Sequence, residues 1–148
     1  MTRFALFALA PCLFMVAAGS DDAARTDREL IQGPWKIVSI TQDGTKESDE
    51  SVHGGRIEFS EDGYTVRAND QIVEQGSQSL DSSKQPKTID FKITRGPAKG
   101  KTQPGIYQLE GDQLRVCFAH PGGSDRPKQF TSTTESRTIL LVLRREQF

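Results

Sequence analysis

Thr88-Ile89-Asp90-Phe91-Lys92-Ile93-Thr94 is the stretch whose reading decides the fold. Ile89, Phe91 and Ile93 share one parity, and Asp90 and Lys92 share the other. A period of two with branched and aromatic residues on one side belongs to a half-buried strand. The same period recurs in both directions. Upstream it runs over 35–40, 56–60 and 64–68, and more weakly over 72–80. Downstream it runs over 105–109, 114–118 and 138–143. The pairs Asp43-Gly44, Asp62-Gly63, Asn69-Asp70 and Gly111-Asp112 punctuate these runs, and Lys84-Gln85-Pro86 breaks the chain before Thr88. Such pairs between alternating runs mark hairpins. Segments 45–55, 95–101 and 121–127 read as longer loops. Eight strands joined in sequence form a meander that can close on itself and so lose its edges. The expected fold is all-β: an eight-stranded antiparallel up-and-down barrel.

The first residues have a different character. Arg3 is followed by an uncharged, mostly apolar run from Phe4 to Ala18, ending in Val16-Ala17-Ala18 before the polar Ser20-Asp21-Asp22. A positive start, an apolar stretch too short to cross a bilayer and small residues at its end are the marks of a cleaved secretory signal. Residues 1–18 are therefore expected to be a signal peptide, and the chain to be exported to a periplasmic or extracellular place. Cys12 offers a lipoprotein alternative, opposed by Pro11 before it and by the short apolar run preceding it. Residues 19–28 read as a disordered lead-in, and 29–148 as one domain. Within 26–32, Thr26 and Glu29 have the spacing of a capping box, so a short helical turn is expected before Gly33-Pro34 stops it. No transmembrane segment is expected after the signal is removed.

Loss of Arg3 with the signal moves the net charge from −1 to −2. That balance gives no field that would draw the chain to nucleic acid. Loss of Cys12 leaves Cys117 alone, and a lone Cys forms no internal disulfide.

Gly33-Pro34-Trp35, between a helical turn and the first strand, resembles the Gly-x-Trp signature of lipocalins. The resemblance implies that Trp35 closes one end of the barrel and that a basic residue from the last strand, Arg144 or Arg145, packs over it. A longer string follows: Lys87-Thr88-Ile89-Asp90, Gly96-Pro97, Lys99-Gly100-Lys101, Gly105-Ile106-Tyr107, Leu109, Gly111-Asp112, Leu114, Val116-Cys117-Phe118, Arg126-Pro127 and Phe130. It is similar to the uncharacterised lipocalin-like secreted domain of planctomycete bacteria, over residues 30–145. That resemblance implies a lipocalin-like barrel and bacterial export, and brings neither an activity nor catalytic residues.

Strand parity points Trp35, Ile37, Ile57, Phe59, Val66, Ile89, Phe91, Ile93, Tyr107, Leu109, Leu114, Val116 and Phe118 inward. Val38 and Ile40 take the outward parity. A barrel of eight strands either holds one small ligand or is filled by its own side chains. On the first reading Trp35, Ile37, Phe59, Val66, Phe91, Tyr107, Val116 and Phe118 line a site for a small apolar ligand, with Tyr107 as its polar handle. On the second the barrel is a packed scaffold, and the domain is a protein-interaction or structural module of the cell envelope.

Other candidates carry less. Gly100-Lys101-Thr102 ends like a phosphate-binding loop, but Arg95 stands where its first Gly belongs and Pro104 stops the helix it needs. Lys84, Lys87, Lys92, Arg95, Lys99 and Lys101 form a basic run that reads as a solvated face. His53 and His120 occupy separate loops, without a second ligand at metal spacing. His120, Ser124 and Asp125 supply the residue types of a hydrolase triad, which needs a three-dimensional geometry that sequence proximity does not give. Cys117 reads as a small half-buried hydrophobe, beside Arg115 on the same face. Glu47-Ser48-Asp49-Glu50 lacks the Gly and the register of a calcium loop. The expectation is a non-enzymatic module without cofactor or metal.

Overall fold

The computed structural model describes residues 27–147. The expected signal peptide, Cys12 and most of the expected lead-in lie outside them. Helical turn α1 (27–30) precedes β1 (Gly33–Gln42), β2 (Thr45–Lys46), α2 (Asp49–Val52), β3 (Gly55–Ser60), β4 (Gly63–Ala68), β5 (Gln71–Asp81), β6 (Thr88–Arg95), β7 (Thr102–Glu110), β8 (Gln113–Ala119) and β9 (Thr138–Arg145). Every strand pairs antiparallel with its neighbour, and β9 pairs back onto β1. The result is a closed barrel of eight strands in up-and-down order. The ninth, β2, is a two-residue return that pairs only with the end of β1, at Thr41–Lys46 and Gln42–Thr45.

Each hairpin follows from local chemistry. Asp43 and Gly44 both take positive φ, as do Asn69 and Asp70. Turns of that hand match the right-handed twist of the strands they join. Loop 45–55 is more ordered than its polar composition suggests. Ser48 caps α2 by accepting from the Ser51 amide at 3.1 Å, and Val52 enters the core. The reason lies in β1, which pairs with β3 only from Gly33 to Lys36 but with β9 as far as Gln42. The strands part beyond Lys36, and α2 lies against β1 beside that gap.

Alternation fails at one place in β1. The register with β9 shifts between Ile37 and Ser39, leaving Val38 as a bulged, exposed residue. One extra residue reverses the parity beyond it. Ile40, expected to face out with Val38, instead pairs with Leu141 and packs against the core. Asp27 and Arg28, expected in the lead-in, belong to α1, and Asp27 is buried.

Strand direction gives the barrel two poles. α1, the 61–62 and 111–112 turns and the end of β9 gather at the Trp35 pole. The 43–44, 69–70 and 96–101 turns and the 120–137 segment gather at the opposite pole. That last segment turns back over the outer face of β7, β8 and β9, where Ile106, Cys117 and Thr138 are buried. Arg126 ties it down, donating to the carbonyls of Gly105 at 2.8 Å and Ile89 at 3.3 Å while pairing with Asp90 at 2.8 Å.

Candidate functional site

The Trp35 pole is sealed. Trp35 is fully buried, and its indole N–H donates to the Ile31 carbonyl at 2.8 Å. The Arg145 guanidinium lies 4.3 Å from the ring centroid, donates to Gln32 O at 3.1 Å, and donates also to Leu30 O. Arg144 is exposed and does not cover the ring. Beside them Asp27 accepts from the Tyr107 hydroxyl at 2.6 Å and from Lys87 Nζ at 2.9 Å. Burial, reinforced by the Asp27 carboxylate, pushes the Tyr107 hydroxyl far above the ordinary tyrosine range. Tyr107 thus spends its polar group on fastening α1 across this end.

The middle of the barrel is occupied by rings. Tyr64 stacks on Phe91 with centroids 3.8 Å apart, Phe118 lies 4.6 Å from Phe91 on another side, and Phe59 lies 6.4 Å from it. Two glycines make room. Gly105 pairs with Phe118, and a Cβ there would meet that ring at 2.5 Å. Gly76 pairs with Tyr64, and a Cβ there would meet the tyrosine ring at 2.8 Å as well as the Lys92 carbonyl. A glycine in a strand interior marks such a close approach. Of the residues expected to line an interior site, Trp35, Ile37, Phe59, Phe91, Tyr107, Val116 and Phe118 are buried in one apolar cluster, and Val66 packs half-buried against it. The structure brings all eight together, largely against one another.

Toward the opposite pole the inner lining is less deeply buried. Ile40, Val66, Ile139 and Leu141 face inward by register, yet each keeps part of its surface accessible. Polar side chains share this inner face, Gln103 and Glu74 among them. Gln103 donates to the Ala119 carbonyl at 2.9 Å. Glu74 stands opposite Val66 and accepts from the Tyr64 hydroxyl at 2.8 Å. Desolvation pushes the Glu74 carboxyl above its usual range, against the lowering effect of that hydrogen bond. Neither residue was legible as a site member. Glu74 is turned inward by a bulge in β5, where Val66 pairs with Glu74 but Arg67 pairs with Ile72. Val73 is the extra residue and points out. Two positions of equal parity, Ile72 and Glu74, therefore lie on opposite faces.

The outer surface carries shallow clefts. One of about 670 Å³ lies between the end of β5, Thr88, Asp90 and Ile106, and the Arg126–Pro127–Lys128 stretch. Another of about 600 Å³ runs beside Lys36, His53 and Arg144.

The triad residue types are not assembled: His120 Nε2 bonds Asp43 at 2.8 Å, and both Ser124 and Asp125 face solvent. Cys117 is buried, with its thiol 3.5 Å from the Thr131 carbonyl, and burial pushes its pKa up. That is the reverse of what a reactive thiolate needs. Lys87 leaves the basic run to pair with Asp27. Among the described residues no group of three or more His, Cys, Asp or Glu is arranged to hold a metal ion, and no helix is long and apolar enough to cross a membrane. No family model matches the chain, and neither a curated protein nor a solved structure does.

Proposed function

We propose that this chain is an exported, non-enzymatic binding module of lipocalin-like architecture that takes a small, mostly apolar molecule in the mouth of the barrel at the pole opposite Trp35. The observation that carries this reading is the half-accessible, inward-facing set Ile40, Val66, Ile139 and Leu141 above a ring-filled middle. Ligand sites are concave and mostly apolar, with a few placed polar groups. Glu74 and Gln103 are such groups here. The ring stack argues for a shallow seat rather than a deep one. The lipocalin-like architecture is supported by the closed up-and-down barrel, the helical turn before Gly33-Pro34-Trp35 and the Arg145 cover on Trp35, while membership of the planctomycete secreted family rests on the sequence string between Lys87 and Phe130 alone. Export is supported by the signal pattern of residues 1–18.

Mass spectrometry of lipid extracted from the purified protein, together with titration of an environment-sensitive apolar fluorophore, tests the binding. Displacement of the fluorophore by a bulky charge at the rim, Leu141→Arg, is expected, while Val38→Arg on the outside leaves it bound. Equal binding by both variants overturns the assignment of the site. N-terminal sequencing of the protein recovered from the periplasm or medium tests export, with a start near Gly19 expected.

A second reading has its own observation. The 670 Å³ cleft beside Arg126 is lined by Asp81, Lys84, Asp90 and Lys128 around Ile106 and Pro127. It suits a protein partner of mixed charge, with the barrel as a packed scaffold.

A further inference from the structure

Glu74 is an anomaly in its surroundings. It is half-buried and is the one carboxylate on the inner face of the strands among the described residues; Asp27, buried in α1 at the sealed pole, is matched there by Lys87. Glu74 has no such match. Its hydrogen-bond partner is the neutral Tyr64 hydroxyl, and among the described residues no Lys, Arg or His pairs with it. The charges on adjoining strands point elsewhere: Arg67 pairs with Glu58 on the outer surface, and Arg95 donates to Gln75. Taking a carboxylate out of water without a counter-charge is costly. A β-bulge is needed to aim it inward, and Gly76 is needed to let the Tyr64 ring lie where its hydroxyl reaches the acid.

The placement is at the rim rather than the floor. β6 ends beside Glu74: a Cβ on Gly96, which has φ +119°, would stand 2.8 Å from the Val73 carbonyl and 3.4 Å from Glu74 Cα. Val66 faces Glu74 from β4, and Ile93 flanks the next inner position, opposite Gly76. An apolar wall thus carries one anionic, pre-oriented acceptor. Unmatched charge in a site selects for a ligand of opposite sign more than it adds raw affinity.

Resting on the mouth reading above, we propose that Glu74, held by Tyr64, makes the barrel select molecules that carry a single protonated amine on an apolar body. The ammonium supplies the missing counter-charge, and the alkyl or aryl part covers Val66 and its accessible neighbours. Tyr64 is a positioning residue, donating to one carboxylate oxygen and leaving the other for the ligand.

Calorimetric titration of the purified protein with octylamine, octanol and octanoate tests this, since the three share one chain and differ in head charge. Octylamine is expected to bind about tenfold tighter than octanol, and octanoate more weakly than octanol. Glu74→Gln is expected to bring octylamine level with octanol. Glu74→Asp, which keeps the charge, retains part of the preference and shows that the loss is not one of folding. If octanol binds and octylamine has no advantage, or if Glu74→Gln preserves that advantage, the amine proposal falls and the mouth reading stands. If none of the three binds, the mouth reading fails and the amine proposal with it.

Discussion

Arg145 stacks its guanidinium on Trp35 and, with the same group, donates to the carbonyls of Leu30 and Gln32. One side chain therefore joins the last strand, the first strand and α1. Arg145→Ala is expected to cost about 2 kcal/mol, from a stacked cation–π contact plus charge-assisted hydrogen bonds. Lysine cannot reproduce a planar fork, so Arg145→Lys recovers less than half of it. Arg144→Ala, on an exposed neighbour, stays within about 0.5 kcal/mol of the parent. Urea denaturation of the three variants checks the ranking, and equal effects at 144 and 145 would refute it.

Gly105 is set against Phe118 so closely that no β-carbon fits. Gly105→Ala forces the ring or the β7 backbone to move and is expected to cost about 2–3 kcal/mol, the range of overpacked cores. Gly100→Ala, where a β-carbon meets nothing but φ is +89°, costs about 1 kcal/mol from strain alone. Thermal melting separates the two.

Asp27 and Tyr107 give an alkaline signature. The Tyr107 pKa is raised in the fold, so its contribution is fully present below the unfolded tyrosine value of ~10 and is lost as pH rises beyond it. Tyr64, raised by burial first and then by Glu74, acts in the same sense. Stability is expected to fall steeply above about pH 10. Tyr107→Phe costs about 1–2 kcal/mol at neutral pH, because Asp27 loses a donor, and flattens that fall. A pH series of denaturation midpoints is the measurement; an unchanged alkaline slope in Tyr107→Phe would count against the pairing.

Cys117 reports on the segment that covers it. Its thiol is buried and points at the Thr131 carbonyl, so a thiol reagent is expected to label the native protein slowly. Arg126→Ala, which unties the cover from Gly105 and Asp90, is expected to accelerate labelling about tenfold or more while the barrel stays folded by circular dichroism. Labelling that accelerates only with global unfolding would show that the cover and the barrel open as one unit.

Much of the barrel is legible from the period of two alone. All eight barrel strands fall where alternation places them, because one wet and one dry face leave a strand little choice of register. What escapes is whatever breaks the period. The bulges at Val38 and Val73 depend on how neighbouring strands pair, which no local pattern records, and they reverse Ile40 and aim Glu74 inward. Ile106 and Cys117 are buried from outside by a loop whose composition reads as polar turn. Asp27 looks like solvated lead-in until Tyr107 and Lys87, 80 and 60 residues away, are brought to it. The eight interior residues are visible by parity, but how fully they fill their space is set by ring orientations against Gly76 and Gly105.

The seam between β1 and β9 has one more consequence. The Glu146 amide donates to the Pro34 carbonyl at 3.1 Å, and Arg145 reaches Leu30, so the two ends of the folded domain emerge side by side at the same pole. A linker of a few residues suffices to join them, and a circular permutant cut open in the 96–101 turn is expected to fold. Whatever holds the folded domain by either end, the pole opposite Trp35 faces the other way.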